Sequence, residues 1–241
     1  MRWHCFAASV VGEDHLSTGQ PMQDRVAFRS DQKRPFIAVA DGLGSCSRSA
    51  EGARAAVDAA MQSLRWWQQI PEAPIEPVIR ALYQRWLMEI HPIGKADAKS
   101  TILAAAAAAD GCVLTVQLGD GVILIEDNQS VRLHAETKPM EFANETLSLG
   151  GEISIADWQW TVHPSGSIRG VVMASDGVAN GLDPTEWRAL VGHLRSMRLG
   201  VNGVRAAQNE LAKQLREWPL QAAGGDDRSL ACLFMTEEED E

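Results

Sequence analysis

The 241-residue chain has little positive charge, few thiols and no long apolar run. Its 22 Lys and Arg face 32 Asp and Glu, a formal net charge of −10. That balance excludes a nucleic-acid surface or an anionic membrane as the expected partner, since both need clustered cations. An anionic substrate must be met by local charge instead. The four cysteines, Cys5, Cys46, Cys112 and Cys232, form no C-x-x-C pair. This spacing argues against a zinc knuckle or a disulfide framework and predicts reduced thiols in a cytoplasmic protein. No run approaches the length of a membrane span, and the opening MRWHCFAASVVGEDH is interrupted by His4 and too short for a signal peptide. With 45% hydrophobic residues the chain has enough apolar material for one generous core.

Familiar catalytic loops are missing as well. A P-loop needs Lys followed by Ser or Thr after its glycines, and GLGSCSRS, residues 42–49, has none. The same stretch lacks the third glycine of a dinucleotide fingerprint. Neither G-x-S-x-G nor H-E-x-x-H occurs, which removes the anchors for a serine hydrolase or a zincin.

What is present reads as alternating blocks. WHCFAASVVG and RPFIAVA predict strands that end near glycines and carboxylates. Ala53, Val57, Ala60, Leu64 and Trp67 recur at helical spacing, and so do Ile79, Leu82, Trp86 and Ile90, predicting helices over about 49–70 and 75–90. TILAAAAAAD sets alanine's helix propensity against its position and is assigned to a strand. Residues 111–137 alternate β-branched runs with Gly-Asp-Gly and Asp-Asn turns, predicting consecutive antiparallel strands in a meander. ISIADWQWTVHP, IRGVVMASDGVANG and RSLACLFMTE add strands, with helices over 184–198 and 204–218. Trp66, Trp67, Trp86, Trp158 and Trp160 read as packing residues, because no basic residues interleave with them to make a stacking platform. No linker or repeat appears, so residues 1–236 are expected to form one domain, followed by a solvated acidic tail at 237–241.

Acids recur at the ends of the predicted strands: Asp41, Asp120, Asp176, and the pair Asp226 and Asp227. A single Asp-Gly pair is ordinarily a turn. Several carboxylates brought together repel one another and persist most readily with cations between them. Oxygen-only ligands point to Mg²⁺ or Mn²⁺ rather than zinc.

The order and spacing of GEDHLSTGQPMQDR, AVADGLG, KSTI, LGDG, ASDGV and GGDDRSLA resemble the metal-dependent protein phosphatases of the PP2C-like family, the bacterial branch most of all. The resemblance covers about residues 9–235. It implies an α+β fold, a four-layer α-β-β-α sandwich of two antiparallel sheets flanked by helices. It implies hydrolysis of phosphoserine and phosphothreonine on proteins by water activated between two Mn²⁺ or Mg²⁺ ions. By the same resemblance, Asp41 bridges the metals and the Gly42 carbonyl binds one of them. Asp176 and Asp226 are the other ligands, Asp24 orients the attacking water, and Asp120 helps hold a third ion. The expected partner is a phosphoprotein made by a Ser/Thr kinase.

The sequence departs from the family pattern at three places. Gly19 stands where many members carry a phosphate-binding Arg, and His15 is the candidate to replace it. Gln23 replaces a metal-binding Glu, and Leu43 replaces the histidine proposed as general acid in eukaryotic members. Asp227, where an Asn is usual, is expected behind the ligands or in a turn. EFANETLSLGG, with Asn144, Glu145 and Thr146, lies at the family's variable flap. These departures leave two further readings open, a pseudophosphatase that binds a phosphoprotein without turnover and a small-molecule phosphate monoesterase.

Overall fold

A computed structural model of the chain describes residues 2–134, 146–180, 182–200, 203–218 and 225–236. The acidic tail and two flap residues named above, Asn144 and Glu145, lie outside these residues. Two five-stranded antiparallel sheets form the centre. In the first, β1 (Arg2–Val10), β10 (Arg228–Thr236), β9 (Gly170–Ala174), β6 (Val122–Glu126) and β7 (Val131–Leu133) lie side by side in that order. The second runs β2 (Arg25–Arg29), β3 (Phe36–Ala40), β4 (Ile102–Ala107), β5 (Val113–Leu118) and β8 (Gln159–His163). Helices α2 (Ser49–Trp67) and α3 (Ile75–Ile90) cover the second sheet, while α5 (Trp187–Gly200) and α6 (Val204–Arg216) cover the first.

The period-2 alternation of the strands distributes side chains among three apolar layers. In β4, Ile102, Ala104 and Ala106 face α2 and α3, whereas Leu103, Ala105 and Ala107 fill the space between the sheets. In β10, Ala231 and Leu233 point between the sheets, and Leu230, Cys232 and Phe234 point at α5 and α6. The result is the α-β-β-α order of layers. The alanine run of β4 is a strand because both faces are buried, and tertiary packing outweighs a helix preference of less than about 1 kcal/mol per residue. Its small side chains let α2, itself rich in buried alanine, pack directly on the sheet.

Two expectations change. The segment 111–137 is not one meander. β5 and β6 belong to different sheets, so Gly119, Asp120 and Gly121 form a crossover between the sheets, and only β6 and β7 make a hairpin. A Gly-Asp-Gly turn is equally suited to both, and the choice depends on which faces are buried. Trp67, Trp86 and Trp158 are buried and Trp160 packs against the same layer, but Trp66 is 41% exposed. The sequence reading also passed over α1 (Glu13–Thr18) and β2.

One close approach locks the second helical layer. The indole Nε1 of Trp86 donates to the Gly52 carbonyl at 3.1 Å, and a Cβ on Gly52 would collide with the carbonyl oxygen of Ala98. Gly52→Ala is expected to destabilise the protein by about 1–3 kcal/mol, the usual penalty for overpacking a site that cannot relax. Urea unfolding of the two proteins would measure it.

Candidate metal centre

All the predicted acids come to one end of the sandwich. Asp41 follows β3, Asp24 precedes β2, and these antiparallel neighbours put both at the same edge. Asp176 follows β9 at the first turn of α4 (Asp176–Ala179), Asp226 and Asp227 precede β10, and Asp120 sits in the crossover from β5 to β6. The architecture thus converts acids scattered over some two hundred residues of sequence into one cluster.

Backbone and hydroxyl donors hold these acids in place. The buried carboxylate of Asp227 accepts from the N–H groups of Gly12 (2.8 Å), Gln23 (2.6 Å) and Asp24 (3.3 Å). It therefore ties the loops flanking α1 to the start of β10. Its own N–H donates to Asp226 Oδ1 at 2.8 Å. The Ser175 hydroxyl donates to Asp24 Oδ2 at 2.8 Å and accepts from the Ser229 N–H at 3.0 Å, which links β9, β10 and the loop before β2. The Asp41 N–H donates to Thr101 Oγ1 at 3.0 Å, and the Thr101 N–H donates to the Asp41 carbonyl at 2.8 Å. Gly42 donates to the Gln23 carbonyl, and a Cβ there would come within 2.6 Å of the Ser49 carbonyl oxygen, so the start of α2 can lie this close only over glycine.

The electrostatics are those of crowded acids. Burial, followed by the charges of Asp24, Asp176 and Asp226, pushes the Asp41 carboxyl up to about 11. Burial also raises Asp24 to about 7, aided by Asp227 and opposed by the hydroxyls of Ser229 and Ser175. Asp176 is raised by burial and by Asp120 and Asp226. The closeness of Asp24 and Asp176 to Asp41 contributes to these shifts, as expected of acids packed against one another.

Among the described residues no three His, Cys, Asp or Glu side chains already form a closed ligand set. The donor chemistry nevertheless fits hard divalent cations. Every candidate ligand is an oxygen, the carboxylates raise one another's pKa, and Oδ1 of Asp176 is buried without a donor to it.

The remaining sequence candidates take different places. His15 is 9% exposed, with Nδ1 3.0 Å from Asp227 Oδ1 but outside hydrogen-bond geometry, so it lies behind the acids against Asp227. Gln23 is buried and contributes its backbone on both sides. Gly19 caps α1 in the left-handed region, φ 70°. Leu43 donates its N–H to the Lys99 carbonyl. Thr146 Oγ1 donates to Asp120 Oδ2 at 2.9 Å. Ser175, Ser229 and Thr101 were not singled out from the sequence, although each stands in one of the quoted motifs, ASDGV, GGDDRSLA and KSTI.

A sequence profile of the family described as Protein phosphatase 2C matches residues 11–218. Serine/threonine-protein phosphatase 3 of Escherichia coli (strain K12) is 28% identical over an alignment of 262 residues, spanning 98% of this chain and 100% of that protein. The catalytic domain of the serine threonine protein phosphatase PstP, solved with two manganese ions, superposes with a TM-score of 0.60 at 14% identity, covering 98% of this chain and 99% of that one. RsbX in complex with magnesium gives 0.58 at 15% identity over 98% and 96%. These likenesses establish the sandwich as a fold shared with phosphatases.

Acids whose folded pKa is raised bind protons more tightly folded than unfolded, so their contribution is favourable below the ordinary carboxylate range and is lost as pH rises through the folded values. The metal-free protein is therefore expected to lose thermal stability from about pH 4 through pH 7 and beyond, as Asp24 and then Asp41 are forced to ionise. Mn²⁺ should restore the melting temperature, and by more at pH 8 than at pH 5. Scanning calorimetry with and without chelator would check both trends.

Proposed function

Because this chain belongs to the protein phosphatase 2C family, we propose that it hydrolyses phosphoserine and phosphothreonine on proteins with the help of divalent metal ions. The observation that carries this reading is the convergence of Asp24, Asp41, Asp176 and Asp226 at one end of the sandwich, in the chain order of the family's motifs. Asp41, the Gly42 carbonyl, Asp176 and Asp226 would hold two ions, Mn²⁺ or Mg²⁺, and Asp120, backed by Thr146, would serve a third. When bound, such ions lower the pKa of a water and offset charge on the phosphoryl oxygens.

The chain's own residues then supply position. Asp24, fixed by Ser175 and by the grip of Asp227 on its N–H, orients the water for in-line attack on phosphorus. Thr101 fixes Asp41 from behind. His15 acts through Asp227 and not on the phosphate, since its ring is buried against that carboxylate. Gln23 and Asp227 hold the loops that carry the ligands. The domain would comprise residues 1–236, because β10, beyond the reach of the family profile, sits inside the first sheet between β1 and β9. A cytoplasmic location, suggested by four free thiols, and substrates made by a Ser/Thr kinase complete the reading. Among the described residues no helix is long and apolar enough to cross a membrane.

Release of phosphate from a phosphothreonine peptide by purified protein tests the proposal. Turnover should require Mn²⁺ or Mg²⁺ and vanish with chelator. Asp41→Asn and Asp176→Asn should each lower kcat/KM by more than about 100-fold without unfolding the protein, because each removes a ligand charge at the edge of the fold and no packing group. Metal binding by calorimetry without turnover on any phosphopeptide would instead favour the phosphoprotein-binding role that Gly19, Gln23 and Leu43 raise.

A further inference from the structure

A second concavity shares its walls with the metal centre. Residue Met22 leads directly into Gln23 and Asp24, and Arg228 follows directly on Asp227, yet both line a cavity of about 560 Å³ on the other side of the β10 start. Strand alternation separates the two sites: Ser229 faces the acids, whereas Arg228 points under α6, where its Nη1 donates to the Leu215 carbonyl at 3.2 Å. The cavity walls are apolar at Val10, Leu16 and Met22 and charged at Glu13, Arg216 and Arg228.

The charges do not cancel. Glu13 is taken by Arg228, Nη2 to Oε2 at 2.6 Å, and Arg228 is 1% exposed. Arg216 is exposed on the last turn of α6 and has no ion-pair partner among the described residues. Among the described residues it is thus an unpaired cation in the lining of the cavity, in a protein of net charge −10. In the same lining Leu16 is 64% exposed, an apolar side chain left uncovered. A ligand complementary to this surface carries an anionic group beside an apolar one. Helix α1 is common to both sites: Glu13 and Leu16 line the cavity, and the loops flanking the helix are tied to Asp227 beside the acids.

We infer that this cavity is a substrate-docking subsite that takes an acidic residue, flanked by an apolar one, a short stretch of extended chain away from the phosphoresidue. The inference rests on the phosphatase reading and names the class of phosphoprotein the centre prefers: one with Asp or Glu near the phosphorylated position. Arg216 supplies the charge, Leu16 and Met22 the apolar contact, and the Arg228–Glu13 pair holds α1 in place as the wall between the sites. Charge complementarity of this kind governs which partner is chosen and how fast it is captured, more than the chemical step.

The test compares phosphothreonine peptides carrying Glu, Gln or Lys at successive positions on either side, with an aryl phosphate as a substrate too small to reach the cavity. Wild-type protein with Mn²⁺ should favour the Glu peptide at one such position by about five- to tenfold in kcat/KM, chiefly through KM. Arg216→Glu should abolish that preference and improve the Lys peptide, while turnover of the aryl phosphate stays within about twofold of wild type. A non-phosphorylated acidic peptide should compete, and inorganic phosphate should compete equally in wild type and variant. No preference for Glu at any position, or a preference that survives Arg216→Glu, overturns the inference. So does competition by phosphate that depends on Arg216, which would make the cavity a free-anion site. If wild-type protein does not turn over even the aryl phosphate, the phosphatase reading fails separately. The cavity is then judged by fluorescence anisotropy of the Glu peptide, whose binding Arg216→Glu must weaken for the inference to stand.

Discussion

Carboxylates at close quarters repel, and the fold spends its strongest polar contacts on keeping a group of them together. The buried Asp227 is the centre of that effort: as a pure acceptor it satisfies three backbone N–H groups from two loops and its own residue's N–H holds Asp226. Without that anchor nothing else in the described structure would bind the α1 region to the start of β10 so directly, apart from the Arg228–Glu13 pair and the Asp14 N–H to Gly225 carbonyl bond. Charge-assisted hydrogen bonds to buried donors are about twice as strong as neutral ones, which suits a carboxylate here better than the amide usual in the family. The acids can then sit on strand ends whose position the two sheets have already fixed.

Much of this was legible because each acid follows or precedes an apolar run of strand length. Asp41 after FIAVA and Asp176 after GVVMA report their own location, since a chain leaving a buried strand must emerge at a sheet end. The order of six short motifs carried the rest of the site. The elements that escaped are the ones whose structure is imposed from outside. α1 spans six residues, has no side-chain cap, and is held by contacts to residues 225–228, more than two hundred positions away. β2 is exposed at Arg25, half-buried from Val26 to Arg29 and carries Arg at both ends, leaving no clean alternation to read. The crossover at Gly119–Gly121 looks like a hairpin locally and is decided by sheet membership. Ser175 and Thr101 are small hydroxyl residues in motifs dominated by charge, and their role appears only when partners from other strands arrive.

Gly19, Gln23 and Leu43 each take a backbone role in the frame around the acids. Gln23 serves through its backbone N–H and carbonyl, which any side chain would provide. Gly19 occupies a left-handed helix cap, a conformation that favours glycine over the arginine many relatives carry. Leu43 holds its loop through its backbone, its N–H donating to the Lys99 carbonyl and its own carbonyl accepting from the Cys46 N–H. Each departure removes a side-chain function while leaving the frame that positions the acids untouched.

The pairing of the first strand with the last has a consequence for the order in which the protein comes into being. β1 runs beside β10 from Arg2 opposite Thr236 to Val10 opposite Arg228, and β10 also separates β1 from β9. During synthesis the first sheet therefore waits for the strand that joins β1 to β9 until β10 is made, and contacts of such sequence separation form late. Asp226 and Asp227 arrive with that strand. A nascent chain thus exposes no assembled acidic cluster, and a chain cut short before β10 lacks both the seam of its sheet and the anchor of that cluster, so assembly of the acids and completion of the sheet are one event.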